Sequence, residues 1–250
     1  MMSVYDWLTP DWPAPAHVRA ACTTRQGGVS VAPFDHLNLG DHVGDDPQAV
    51  AQNRQTVAGI LGLPAVPFWL QQVHGTVVAR EDVDNPCRQA DAAVAFKPGA
   101  VCVVMTADCL PVLFCDRAGT RIAAAHAGWR GLCDGILEAT VRDLACDPAD
   151  LLAWMGPAIG PKAFEVGGEV RAAFMAQDSQ ASEAFIPGMA DGKWFADLYQ
   201  LARQRLQTIG LNDIYGGCFC TYSNPERFYS FRRDGKTGRM ASLVWLADAA

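Results

Sequence analysis

The strongest constraint in this 250-residue chain is a succession of short apolar segments crowded into its middle. Phe68–Val73, Ala92–Phe96, Val101–Met105, Val112–Cys115 and Ile122–Ala125 are each bounded by Gly, Pro or Asp. Segments this short cannot make independent helices, and their β-branched content suits buried strands. Two longer stretches carry helical period. In Trp129–Leu144, Leu132, Ile136, Leu137, Val141 and Leu144 recur at three- and four-residue steps, and in Trp194–Ile209 Phe195, Leu198, Leu201, Ala202, Leu206 and Ile209 do the same before Gly210 stops the helix. Ile214–Phe219, Phe228–Phe231 and Leu243–Leu246 read as further strands, and Gln177–Glu183 and Pro187–Lys193 as surface loops. Many strands with a few long helices, not alternating one for one, predict an α+β fold rather than a doubly wound sheet. With no internal repeat or low-complexity linker, residues 1–250 are expected to form one domain.

Composition narrows the partners. A formal charge of −7 disfavours broad phosphate neutralisation, so no nucleic acid is expected, although local basic clusters can still grip a small anion. No apolar run approaches the ~20 residues that span a bilayer, so no membrane is expected. Met1–Pro15 lacks the basic start and long apolar stretch of a signal peptide. Nine cysteines, an odd number scattered through apolar segments, read as reduced thiols of a cytoplasmic protein.

The chemistry concentrates in three soft ligands. Of only five histidines, His74 follows an apolar segment and precedes Gly75, and His126 follows Ile122–Ala125 and precedes Ala127-Gly128. Cys109 lies just beyond Val101–Met105. All three are expected at strand ends, where side chains from different strands converge at one rim. Two imidazoles and a thiolate make a metal site with a fourth position open for water or substrate. The alternative is three buried packing residues, and no CxxC or HExxH spacing decides between them. The helix expected to begin near Trp129-Arg130-Gly131 offers free amides, and Arg130 a charged fork, for an anion. Thr23–Ser30, Asn38-Leu39-Gly40, Phe228–Asp234 and Thr237-Gly238-Arg239 are rich in polar groups that core packing does not require. Aromatic residues beside paired arginines suit stacking on a base and gripping an anion, but taken alone, solvated turns with surface ion pairs are the simpler account.

Seven ordered motifs add a family resemblance running from about Arg19 to Leu246. Thr24–Ser30, Leu37–Gly40, Gln72-Val73-His74-Gly75, Thr106–Pro111, His126–Gly131, Gly156–Gly160 and Tyr229–Asp234 resemble the YfiH-type family, formerly labelled multicopper polyphenol oxidase or laccase and now regarded as purine nucleoside phosphorylases. The resemblance implies mixed β-sheets sandwiched between helices, a layered fold shared with a bacterial toxin deamidase. It implies a metal held by His74, Cys109 and His126, which also serve as catalytic residues. It implies phosphorolysis of adenosine, inosine and methylthioadenosine to base and ribose 1-phosphate, with adenosine deamination beside it. Arg25, Arg130, Arg232 and Arg233 become candidates for phosphate contacts and Asn38 for a ribose or base contact. His36, where the family commonly has a small hydroxyl residue, and the extra Cys218-Phe219 depart from the pattern.

Five histidines cannot build a multicopper assembly, which needs roughly ten imidazoles. His/Cys/His is nevertheless also a copper ligand set, so copper is an expected adventitious guest, while non-redox chemistry favours zinc. The competing expectations are a metal-free cysteine hydrolase using Cys109 and His126, a copper-dependent phenol oxidase, and a binding module without turnover. The oligomeric state is left open by the sequence.

Overall fold

Strand-forming segments need both faces covered when they are apolar throughout, and here the chain covers them with a second sheet on one side and helices on the other. The computed structural model describes residues 5–80 and 88–247; residues 1–4 of the N-terminal stretch, 81–87 and 248–250 lie outside the described residues. The central sheet has six strands in the order β11 (Asp213–Gly216), β7 (Leu151–Met155), β5 (Leu110–Asp116), β6 (Ile122–Ala127), β3 (Ala92–Ala95) and β2 (Val78–Arg80). Its outer pairs β11·β7 and β2·β3 are parallel and its inner pairs antiparallel. A second, antiparallel sheet joins β1 (Val18–Cys22), β12 (Met240–Leu246) and β4 (Val101–Thr106). A third, small sheet has the order β8 (Glu165–Gly167), β10 (Lys193–Ala196), β9 (Phe185–Pro187).

Period-two alternation assigns each face. Leu113 and Cys115 of β5 pack with Cys102 and Val104 of β4 and Val244 of β12 in a core between the two larger sheets. Val112 and Phe114 point the other way, against α2 (Trp129–Asp134), α3 (Ile136–Leu144), α4 (Gly168–Gln177) and α5 (Leu198–Thr208). Val101 and Val103 face Val57 of α1 (Pro47–Leu61) and the buried Leu37 and Leu39. The result is helix, sheet, sheet, helix, the α+β layering expected from the sequence.

Several boundaries differ from the sequence reading. The helical stretch Trp129–Leu144 is two helices, because Gly135 adopts φ 100° and interrupts the hydrogen-bond ladder. Trp194 and Phe195 belong to β10, and α5 starts only after Asp197, whose carboxylate accepts from the N–H groups of Tyr199 and Gln200. Phe68–Val73 makes a single bridge, Phe68 to Cys102; beyond it the Gln72 carboxamide replaces a strand neighbour, accepting from Met105 N at 2.7 Å and donating to Met105 O at 2.8 Å. Phe228–Phe231 is not a strand: Phe228 and Tyr229 are buried in a coil, and Phe231 begins the one-turn helix α6 (Phe231–Asp234), capped by Ser230 Oγ. Gln177–Glu183 is the end of α4 and a 3-10 turn rather than a loop, and Pro187–Lys193 runs from the end of β9 into β10.

One buried amide ties α1 to the chain that leads toward the cleft. Asn53, fully buried, accepts from Val29 N at 2.9 Å and donates to Ser30 Oγ and Asn38 O, both at 2.9 Å. Asn53→Ala removes this partner from Val29 N and Asn38 O, whereas Ser30 Oγ still donates to Asp45, and each of the two losses costs about 1–3 kcal/mol. The expected result is a melting temperature lower by roughly 4–24 °C, read by thermal unfolding monitored by circular dichroism.

Candidate metal centre

His126 lies within β6, opposite Pro111 of β5, and Cys109 immediately precedes β5 in the turn from β4. That turn is tight: Asp108 has φ 93°, a conformation that L-residues rarely adopt, and His74 has φ 63°. Two carboxylates hold these bends. Asp91 is fully buried and accepts from His74 N at 2.8 Å, Gly75 N at 2.7 Å and Val73 N at 3.2 Å. It also contacts His126 Nδ1 at 2.8 Å. Asp108 accepts from Thr221 Oγ1 and from Arg232 N, both at 2.6 Å, while its carbonyl accepts from Ile159 N.

The ligand atoms of His74, Cys109 and His126 lie within 4.8 Å of one another, with Cys109 Sγ 3.8 Å from His74 Nε2. The imidazoles meet edge to face, 4.8 Å between centroids. Because Asp91 engages Nδ1 of His126, Nε2 of that ring is left for the thiol side, the arrangement in which a carboxylate fixes the tautomer of a metal-binding histidine. Two imidazoles and a thiol, one exposed, one half-buried and one buried, are the donor set of a three-ligand transition-metal site with an open position. Further geometry fits that use. A Cβ added at Gly128 would stand 2.7 Å from His74 Cδ2 and 3.2 Å from Cys109 Sγ, and one at Gly131 would stand 2.8 Å from Gly75 O. The turn His126-Ala127-Gly128-Trp129-Arg130-Gly131 therefore needs its glycines for close approach, and α2 begins directly beneath the thiol.

Electrostatics follow the contacts. Burial alone would push the Cys109 thiol up, but the charge of His126 and hydrogen bonds from both imidazoles outweigh it and favour the thiolate. Burial alone would lower His126, and the Cys109 thiolate with the Asp91 carboxylate raises it instead. For Asp91 burial is again opposed, by the hydrogen bond from His126 and those from the Gly75 and His74 backbone, which hold its pKa below the usual range.

The trio sits in a cleft of about 350 Å³, within the size range of small-molecule sites. Apolar Ile159, Phe164 and Phe231 and basic Arg232 and Arg239 contribute to its walls. Of the substrate-contact candidates, the structure brings Arg232 to the cleft, stacked over Phe164 with Nη1 donating to Glu165 O. It does not bring Arg25, Asn38, Arg130 or Arg233 there. Arg25 donates to Asp35 and to the Pro225 carbonyl. Arg233 donates to the carbonyls of Thr221, Tyr222 and Phe228. Asn38 is fully buried, holding Gly40 and accepting from Arg239 N at 2.9 Å. Arg130 is exposed and stacks on Trp129. His36, the departure from the family pattern, is exposed outside the cleft, and Cys218 is exposed beside Cys220.

Sequence reasoning missed Asp91, Asp108, Thr221, His42 and Arg239. Asp91 left a signal, a lone carboxylate against the apolar run Ala92–Ala95; the pairing of Asp108 with Thr221 left none, since 113 residues separate them. Arg239 is partly buried, which lowers its pKa, and the nearby negative charges of Cys109 and Asp108 oppose that shift.

The chain is similar to known proteins over nearly its whole length. The family described as multi-copper polyphenol oxidoreductase laccase matches residues 19–247. A purine nucleoside phosphorylase of Pseudomonas aeruginosa is 59% identical over 97% of this chain and 99% of its own, and the Escherichia coli purine nucleoside phosphorylase YfiH is 57% identical over 96% and 98%. The crystal structure of a Neisseria meningitidis protein superposes with a TM-score of 0.92 at 50% identity, over 97% of this chain and 99% of that one.

Two substitutions test the site. Asp91→Asn is expected to weaken metal affinity about 10–100-fold, measured by competition with a chromogenic chelator. Gly128→Ala places a methyl group against the ligands and is expected to lower metal content by a comparable factor, with the secondary structure retained by circular dichroism.

Proposed function

The chain belongs to the family described as multi-copper polyphenol oxidoreductase laccase, and we propose that within it this protein is a metal-dependent purine nucleoside phosphorylase acting on adenosine, inosine and methylthioadenosine. The observation that carries the reading is the convergence of His74, Cys109 and His126 on one cleft that also presents Arg232 and Arg239. The names of the relatives from Pseudomonas and Escherichia support it. So does the count of histidines, since five side chains cannot supply the roughly ten imidazoles of a multicopper assembly.

The overall reaction joins a phosphate oxygen to C1′ of the ribose as the C1′–N9 bond breaks. The bond pair leaves with the purine, and the proton carried by monohydrogen phosphate ends on the released base. Adenosine deamination, in which water replaces the amino group and ammonia leaves, belongs to the same proposal as a side activity. Zinc is the metal of this reading, with copper able to occupy the same donors, and it supplies a Lewis acid for a reacting oxygen. His74, Cys109 and His126 hold it, and Asp91 keeps the His126 tautomer and ring orientation that holding requires. Phe231, Phe164 and Ile159 give apolar faces against which a purine packs and from which water is excluded. Arg232, its backbone pinned by Asp108, and Arg239 neutralise anionic charge. The reading treats residues 1–250 as one cytoplasmic domain working on small molecules. Among the described residues no helix is long and apolar enough to cross a membrane.

A second reading rests on the same contacts. Cys109, His126 and Asp91 line up as nucleophile, base and orienting carboxylate, the order used by thiol hydrolases. Metal dependence separates the two. Base release from inosine should require phosphate, fall with chelation and return with zinc, and Cys109→Ala should lose bound metal and turnover together. Activity that ignores chelators but dies with a thiol alkylator would favour the hydrolase, and full phosphorolysis in metal-free protein would sink the metal reading.

A further inference from the structure

Beyond Phe231 and His42 the cleft adjoins a second basin of about 450 Å³, lined by His42, Val43, Phe231, Gly235, Lys236, Thr237 and Arg239. His42, Phe231 and Arg239 are shared by both hollows. The basin's chemistry is cationic. Arg239 spends one guanidinium nitrogen on the carbonyls of Thr237 and Gly238, both at 3.0 Å. Lys236 Nζ lies 5.2 Å from the Phe34 ring centroid. Among the described residues neither cation has a carboxylate within 4.0 Å, and the nearby Asp41 is engaged by Arg54 and His42. The Thr237 hydroxyl is buried without a partner. The N–H groups of Lys236, Thr237 and Gly238, just past α6, donate to no described group. A lysine, a hydroxyl, a guanidinium and successive unpaired backbone N–H groups are the donors that enclose a tetrahedral oxyanion. Gly235-Lys236-Thr237, with Arg239 just beyond, lines the basin without the strand and long helix of a P-loop.

We propose that this basin is the binding site for the phosphate co-substrate, held by Lys236, Thr237 and Arg239 beside the cleft that holds the metal ligands. The proposal deepens the phosphorylase reading and rests on it for the role of the anion. Phosphate seated here approaches the nucleoside from the side of the cleft that Arg239 shares with the basin. It also gives Arg239 two tasks, since its backbone N–H donates to Asn38 while the residue lines both hollows.

Calorimetric titration of inorganic phosphate into metal-loaded enzyme tests the site without requiring turnover. Lys236→Gln and Thr237→Val are each expected to weaken phosphate binding about tenfold, with inosine binding changed by less than about twofold. Lys236 is exposed, so its variant is expected to keep the wild-type melting temperature. Phosphate binding that is absent in the wild type, or equal in the wild type and both variants, overturns the proposal. Adenosine 5′-monophosphate binding more than about tenfold tighter than phosphate and adenosine, and losing that advantage in Lys236→Gln, also overturns it by assigning the basin to a nucleotide's own phosphate. Base release is read separately. Phosphate binding that depends on Lys236 without any base release would sink the phosphorylase and leave the basin. Phosphorolysis with an unchanged KM for phosphate in both variants would sink the basin and leave the phosphorylase.

Discussion

The site depends on one buried carboxylate. Asp91 sits at the start of β3 with no solvent exposure, a position that would cost several kcal/mol for an unpaired charge. It is retained because its two oxygens meet three backbone N–H groups of Val73-His74-Gly75 and Nδ1 of His126. Those contacts do two jobs at once. They bend the chain so that His74, with its positive φ, faces inward, and they fix which nitrogen of His126 faces the thiol. The backbone carbonyl of Asp91 also accepts from His126 N at 2.7 Å, so the histidine is gripped at both ring and main chain.

Asp108 performs the matching task for Cys109. Its strained turn is compensated by short bonds from Thr221 and from the start of α6, which brings the C-terminal segment over the cleft. Cys109 is thus joined to one rim with Arg232 and Arg239, which lie more than a hundred residues further along the chain. The layering makes this possible. β4 and β12 pair antiparallel in one sheet, β5 and β6 in the other, and the turn between β4 and β5 crosses from sheet to sheet at the level of His126.

What was legible in the sequence follows the range of the interactions. Short, continuously apolar segments bounded by Gly, Pro or Asp placed β3, β4, β5 and β6 to within one or two residues, because segment length and burial are local properties. The convergence of His74, Cys109 and His126 was readable as soft ligands beside turns, since strand ends gather at a rim. The failures were long-range or backbone effects. Gly135 splits a stretch whose side-chain period is continuous, and the Trp194-Phe195 pair fits a helix as well as it fits β10. Arg25 and Arg233 looked like anion ligands because sequence shows a guanidinium's charge but not the carbonyls that absorb its donors. Arg239 was marked only as part of the polar segment Thr237-Gly238-Arg239 for the converse reason: only the fold shows that, among the described residues, Nη1 is the one side-chain nitrogen it commits to hydrogen bonds.

This contrast bears on how the family's older name and the chain's own residues fit together. A single His/Cys/His cluster has the softness to take up copper, so a copper-based label is compatible with the ligands even where the histidine count forbids a multicopper centre. Ligand identity alone therefore says little about the reaction. The surroundings add more chemistry: Arg232, Arg239 and the apolar faces of Phe164 and Phe231 line the same cleft, and Asp91 orients the His126 imidazole. Under the phosphorylase reading each has a use: the guanidinium groups for an anion, the ring faces for a purine, and the oriented imidazole for the ion.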